Sequence, residues 1–484
     1  MTSVQRRWAL IAVASATFMT YLDNSIVNVA LPSIQRDLGL SVPTLEWVVS
    51  SYILVFGSCL LASGRLADIY GTRRLFLIGL SVFTVASLLA GLASTAPELI
   101  ASRALQGLGA AMVTPSTLAI ISAMYSTDRQ RRSAIGIWNA VGAVALALGP
   151  LFGGIICQHL TWDWIFFINV PFGAATIALA VWSIHLPATP RARIRLDFGG
   201  LISSGCALYA LTYAFIEGGL LGWTSPLILG CFAGAIMSGT VFVVIESRAA
   251  DPMIAVSLFR DRVFGGGMVA TFIWAFGIFG IFFFTSLYLQ DVLKFSPTLT
   301  GTAFVPMALL MVAGSVLSDR AARRFGAHRS VAAAMGLIAV GIGGAALLGA
   351  HANFVEVASA LVIIGVGGGF TTSLTASILV AMPSTRAAVP SAIFSTVRQL
   401  GALLGIVSIG AILTAREGAA LRAGQSAGSA FITGYHTALI VAAALVAAGA
   451  VAANLALRRA PSQPDAAGPA PVRPTASLLP GAGK

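Results

Sequence analysis

The chain has 484 residues, 57% of them hydrophobic and only 10% charged, with a net charge of +12. A soluble globular chain carries about 25% charged residues, so this one could neither cover a water-facing surface nor stay disordered. Its four cysteines, Cys59, Cys157, Cys206 and Cys231, are far apart in apolar runs, which excludes a disulfide or zinc scaffold and leaves a polytopic membrane protein.

Apolar stretches of about 20 residues read as spanning helices. In chain order fourteen are predicted, at 8–31, 45–65, 74–95, 98–122, 133–157, 163–186, 198–218, 223–245, 264–290, 299–319, 330–350, 355–381, 390–414 and 432–456. The first follows Arg6 and Arg7 but is too long for a signal peptide and lacks a small-residue cleavage site, so it reads as an uncleaved helix. With both termini placed in the cytoplasm, 23 of the 29 Lys and Arg fall on inside segments. That asymmetry is the positive-inside rule. It accounts for the basic balance without invoking nucleic acid.

Ionisable groups inside a span are costly and mark function by default. Asp23 lies deep in the first helix, and Arg103 lies at similar depth in the fourth. They are expected to pair or to share a water-filled cavity. A carboxylate whose exposure changes can gain and lose a proton, so the two are candidates for proton coupling. Glu46 and Glu217 sit at helix ends and read as interfacial, and no two histidines have metal-ligand spacing on one helix.

Further along, the fifth helix carries Gly149, Pro150, Gly153 and Gly154. Small residues four apart let helices touch closely, and Pro150 frees a backbone carbonyl. The loop with Pro187, Pro190, Arg191, Arg193 and Arg195 is a candidate linker. The ninth helix is crowded with aromatics, including Trp274, Phe279 and Tyr288. With Asn28, Gln106, Trp138 and Arg398, these three are the candidates for a substrate cavity. The chain past Arg458 is rich in Pro, Ala and Gly and is expected to be disordered.

An internal repeat is also legible. Gly107, Gly109, Thr114, Ala123 and Met124 recur as Gly365, Gly367, Thr372, Ala381 and Met382, while Gly64 and Asp68 match Gly314 and Asp319 less closely. Equal orientation of the matched helices implies a parallel repeat, an arrangement of secondary transporters. The expected organisation is a six-helix bundle over 1–186, a linker and two-helix insert over 187–262, a second six-helix bundle over 263–457 and a cytoplasmic tail over 458–484. The chain has no P-loop, no catalytic cluster and no cofactor motif, and it reads as a non-enzyme driven by an ion gradient.

These residues resemble a known family. Leu22-Asp23 through Pro32, Gly64-Arg65 through Arg73-Arg74, Arg103 through Gly109, Gly149-Pro150 through Gly154, and Arg398-Gln399-Leu400-Gly401 are similar in order to the motifs of the major facilitator superfamily, in its fourteen-helix drug:proton antiporter branch. The resemblance implies an all-α major facilitator fold in a bacterial cell membrane, two six-helix bundles plus two inserted helices. It implies proton-coupled export of a small amphipathic or cationic drug by a monomer surrounded by lipid. A dedicated exporter of one endogenous metabolite is the alternative. By the same resemblance Asp23 and Arg103 couple protons. Gly64, Asp68, Gly71 and Arg73 belong to a conformational charge relay, and Gly149, Pro150, Gly153 and Gly154 form the antiporter motif. The loop from Asp319 to Arg329 reads as a stretched copy of the first relay loop.

Overall fold

The computed structural model describes residues 3–125, 127–186, 197–249, 254, 256–371, 374 and 388–458. Its helices are α1 (Ser3–Leu38), α2 (Val42–Tyr70), α3 (Thr72–Gly91), α4 (Ala96–Met124), α5 (Asp128–His159), α6 (Trp164–Phe167) and α7 (Asn169–Ser183). After these come α8 (Phe198–Leu221), α9 (Pro226–Arg248), α10 (Arg262–Leu287), α11 (Pro297–Phe325), α12 (Ala327–Ala345), α13 (Phe354–Phe370), α14 (Ala388–Arg422) and α15 (Ala427–Leu457). Among the described residues thirteen helices are long and apolar enough to cross a membrane, and α13 is a shorter apolar helix. The protein is a multi-pass, all-α membrane protein. The predicted sixth span is a single path broken into α6 and α7. The predicted linker loop, the tail, and the repeat residues Thr372, Ala381 and Met382 lie outside the described residues.

Helix starts follow local chemistry. Ser41, Ser225, Ser296 and Ser426 cap α2, α9, α11 and α15 by accepting a backbone N–H through the side chain. Asn353 and Glu356 form a reciprocal capping box on α13. Each cap satisfies a donor that would otherwise be orphaned near the membrane. Pro226 and Pro297 stand in the first turn, where a missing N–H costs nothing.

The repeat is visible in the packing. Gly107 of α4 lies against the Tyr52 backbone of α2, and Gly365 of α13 lies against the Met307 backbone of α11. Gly109 lies against Gly79 and Phe83 of α3, and Gly367 against Ala334 and Ile338 of α12. The pairs Tyr52/Met307, Gly79/Ala334 and Phe83/Ile338 share one sequence offset. Gly71 and Gly326 share it too, and both join consecutive helices with positive φ, 94° and 85°. This corrects the reading of the second loop. It is not stretched, and Gly64 and Asp68 correspond to Asp319 and Arg323, not to Gly314 and Asp319. The junction glycine sets the register, because a positive φ is costly for a side chain with a Cβ. The acidic position of the first loop is thus basic in the second.

Close glycine contacts make a specific stability prediction. A Cβ at Gly107 or Gly365 would run into backbone, whereas one at Gly136 or Gly336 meets nothing within 4 Å. Gly107→Val and Gly365→Val should each destabilise by roughly 1–3 kcal/mol through overpacking. Gly136→Val and Gly336→Val should stay within about 0.5 kcal/mol of the parent. Thermal unfolding in detergent reads the difference.

Two helix pairs form the seam between the repeats, α2 with α14 and α5 with α11. The repeat exchanges one pair for the other. Helix ends carrying Arg65, Arg73, Arg74, Arg131, Arg262, Arg323 and Arg324 share one face of the protein, here called the arginine-rich face. The polar contacts that tie the repeats together cluster near the opposite face. There Gln290 donates to the Val29 carbonyl at 2.8 Å, Thr298 donates to the Gly154 carbonyl at 3.2 Å, and Arg36 lies 3.8 Å from Asp291. The insert helices α8 and α9 pack on each other, and α8 also covers α2 and α14.

Candidate functional site

Five helices converge on Asp23. From α4, Arg103 and Gln106 stand three residues apart and so share a helix face. The Arg103 Nη1 donates to Asp23 Oδ2 at 2.6 Å and to Gln106 Oε1 at 2.7 Å. The Gln106 amide donates to Asp23 Oδ1 at 3.1 Å and to Ser87 Oγ of α3 at 2.8 Å. Asn169, the first residue of α7, donates to Asp23 Oδ1 at 3.2 Å. The Arg103 Nε donates to the Val48 carbonyl of α2 at 3.3 Å. Tyr52 lies under the guanidinium at 4.5 Å, with Phe166 at 5.7 Å.

Asp23 is 0% exposed and Arg103 1%. A charge-assisted contact this short is strong in a low-dielectric setting. The desolvation of both ions offsets much of that gain. What the arrangement supplies is a unique geometry. Both Asp23 oxygens are taken by donors, and loss of the aspartate charge would release Arg103, Gln106 and Asn169 together. The sequence singled out Asp23, Arg103 and Gln106. It missed Ser87, Tyr52 and Asn169. Asn169 carried a weak signal, an amide inside the apolar run after Trp164. Ser87 carried none, because a serine among small residues looks like packing.

Gln106 therefore belongs to this buried network rather than to a cavity wall. A small cavity of about 50 Å³ does lie nearby, at the seam. Thr20, Tyr21 and Asn24 of α1 and Thr114 of α4 supply its polar wall, Tyr52, Phe56 and Phe279 its aromatic wall. Leu146 contributes from α5, and Arg398 and Gln399 from α14. Of the expected cavity residues, Phe279 and Arg398 line it. The other four stand elsewhere. Asn28 bonds the Asn24 carbonyl at 3.1 Å, and the indole N–H groups of Trp138 and Trp274 are buried without a partner. Tyr288 stacks on Tyr435 at 4.8 Å and donates to the Gly349 carbonyl at 2.5 Å, inside the second repeat.

On α1, Thr20, Tyr21 and Asn24 make one stripe, and Asp23 sits roughly 100° round the helix from its centre. The carboxylate and the cavity thus share α1 but face different neighbours.

The Gly149–Gly154 segment of α5 divides in two. Gly149 and Gly153 press against Ser25 and Ile26 of α1, within the first repeat. Gly154 presses against Pro297 and Thr298 of α11, and the Pro150 backbone meets Gly301. These are contacts across the seam. In the loop joining α2 and α3, Arg73 donates to the Val181 carbonyl at 2.9 Å and Asp68 is exposed near Arg65. No ion pair joins Asp68 to Arg73 among the described residues. Gly71 ends α2 at φ 94°, and Gly64 has open space around it.

One of the two acids, Glu46, departs from the expected interfacial placement. Glu46 is 1% exposed, has an Oε2 without a partner, and lies against Gly410 of α14. Glu217 of α8 accepts the Trp47 indole N–H at 3.0 Å. Glu46 is buried because α8 and α14 cover the start of α2, whereas Glu217 is half-buried. That covering comes from helices far along the chain, so local hydropathy gave no sign of it.

The fold and the site together define a secondary-transporter architecture, and comparison with known proteins agrees. The sequence profile of the Major Facilitator Superfamily matches residues 13–406. The chain belongs to that superfamily. It is 35% identical over 412 residues to the multidrug resistance protein Stp of Mycobacterium tuberculosis (strain CDC 1551 / Oshkosh), covering 84% of this chain and 75% of that one. It is 33% identical over 485 residues to the puromycin resistance protein pur8 of Streptomyces alboniger, covering 97% and 95%. Its fold is similar to that of a bacterial homolog of the human lysosomal transporter Spinster, solved inward-facing and occupied. That likeness has a TM-score of 0.67 at 16% identity and covers 94% of this chain and 97% of the other.

Proposed function

We propose that this protein is a proton-coupled secondary antiporter that exports drugs or antibiotics from a bacterial cell. The observation that carries the reading is the buried Asp23–Arg103 pair beside a cavity at the seam, on a chain related to resistance proteins. The arginine-rich face would be cytoplasmic by the positive-inside rule, with both termini on that side. The protein would work as a monomer in the lipid of the cell membrane.

In this reading the described state is closed toward the outside, since the polar ties across the seam lie near that face. Opening that face would let water and a proton reach Asp23. A protonated Asp23 no longer holds Arg103 by charge, so α1, α4 and α7 can change their mutual packing. Turning the carrier inward would allow the proton to leave and substrate to enter the cavity. Re-formation of the ion pair would follow. The two repeats would act as two six-helix bundles rocking about the seam, with α8 and α9 as the insert. Gly64, Asp68, Gly71 and Arg73 would act as a charge relay in the other state, in which α2, α3 and their neighbours approach differently. Gly149, Pro150, Gly153 and Gly154 would set how tightly the seam closes.

The test is drug susceptibility in a host stripped of its own pumps, with parent and Asp23→Asn chains at equal membrane levels. Resistance should fall at least tenfold with Asp23→Asn and with a protonophore. Resistance that survives both would refute proton coupling at Asp23. Protection against a single compound class would favour a dedicated exporter over a multidrug one.

A further inference from the structure

The cavity at the seam has an unusual charge balance. Among its ten lining residues Arg398 alone carries a formal charge, and no carboxylate is present. Arg398 makes no ion pair or hydrogen bond among the described residues, and its Nε is buried without a partner. Asp23, a buried carboxylate on the cavity-lining α1, is turned to Arg103, and both of its oxygens are taken. A guanidinium inside a membrane-spanning helix is costly unless something compensates it. Among the described residues no such group faces Arg398 here.

Around Arg398 the wall offers aromatic faces from Tyr52, Phe56 and Phe279, and amides from Asn24 and Gln399. A guanidinium fork suits an oxyanion, which accepts two parallel N–H bonds. Aromatic faces suit a flat apolar body. A cationic compound would meet Arg398 with no counter-charge within the lining, and like charge in a low-dielectric cavity is strongly repulsive.

We infer that this cavity, widened from its present volume of about 50 Å³ when the seam opens, selects an aromatic amphipath bearing an oxyanion, such as a carboxylate or enolate, and that Arg398 is its charge partner. This assignment rests on the export reading for its biological meaning, but binding can be measured without transport. It narrows the amphipathic or cationic substrate that the resemblance implies toward an anionic amphipath. With both oxygens of Asp23 occupied by donors, the carboxylate offers a cation no open negative site in this state.

The experiment uses the purified full-length chain in detergent and two xanthene dyes of similar shape, anionic fluorescein and cationic rhodamine 123. Fluorescence anisotropy gives their affinities for the parent, Arg398→Gln and Arg398→Lys. The parent should bind fluorescein at least tenfold more tightly than rhodamine 123. Arg398→Gln should lose at least tenfold for fluorescein and lose nothing for rhodamine 123. Arg398→Lys, which keeps the charge, should stay within about threefold of the parent, and it checks that loss of binding is not loss of fold. Tighter binding of rhodamine 123, unchanged fluorescein affinity in Arg398→Gln, or binding of neither dye overturns the assignment. The same proteins in proteoliposomes with an imposed proton gradient separate the two readings. Charge-selective binding without proton-driven movement would overturn the export reading and leave the cavity assignment standing. Proton-driven export of rhodamine 123 alone would do the reverse.

Discussion

Arg103→Ala should destabilise the protein by about 3–5 kcal/mol, the usual cost of leaving a buried charge unpaired, and should abolish transport. The variant strands Asp23 at 0% exposure with only the Gln106 and Asn169 amides as donors. It also removes the cation held against Tyr52 and Phe166. The double variant Asp23→Asn/Arg103→Gln leaves no charge in the pocket and keeps donors and acceptors of similar size. It should recover most of the stability, because replacing both members of a buried ion pair is often neutral. It should recover none of the proton-driven export, because no titratable carboxyl remains on α1 at that depth. Thermal unfolding and transport in proteoliposomes measure the two outcomes on the same preparations. A double variant that is stable and still exports substrate under an imposed pH gradient at the parental rate would show that the pair only fixes helix packing.

How much of this was legible in the sequence depends on where each interaction reaches. Span order and the Asp23–Arg103 pairing were legible, because each rests on hydropathy or on an ionisable residue standing out of an apolar run. The repeat was legible on α4 and α13, where Gly107 and Gly365 must admit a neighbouring backbone. Register was lost in the loop after α11. Nothing local distinguishes Gly314 from Gly326 until the positive φ at Gly326 is seen. The pair Glu46 and Gly410 could not be read at all. Its partners are hundreds of residues apart, and only the packing of α2 on α14 brings them together.

The site is also asymmetric in a way that the repeat makes explicit. By the α4/α13 offset, Arg103 and Gln106 correspond to Leu361 and Ile364, both buried and apolar. One repeat therefore holds the polar network and the other presents a conventional core at the same place. Arg398 is the second repeat's charged contribution, and it comes from α14 at the cavity instead. A carrier built this way would handle its proton in the first repeat and would grip its substrate from both.

The seam itself yields the other large effect. Gly154→Val should abolish transport while leaving a folded protein, and Gly301→Val should do the same from the facing helix. A side chain at Gly154 would enter the space held by the Pro297 and Thr298 backbone, and one at Gly301 would enter that of Pro150 and Leu151. These contacts join α5 to α11 across the repeats, so the repeats can relieve the clash by separating at that face. At Gly149 the clash is with Ser25 and Ile26 of α1, inside one repeat. No rocking motion relieves it, and Gly149→Val should instead lower stability by roughly 1–3 kcal/mol. The discriminating measurement is a distance across the far face. In a background lacking the four native cysteines, Gln158→Cys and Thr298→Cys sit where the Gln158 side chain now accepts the Thr298 N–H at 3.2 Å. Cross-linking of that pair should be efficient in the parent and should fall at least tenfold with Gly154→Val or Gly301→Val. Gly149→Val should leave it nearly unchanged in the folded fraction. Retained cross-linking in the Gly154 variant would mean that the seam adapts by local shifts, and the motif would then be packing rather than a gate.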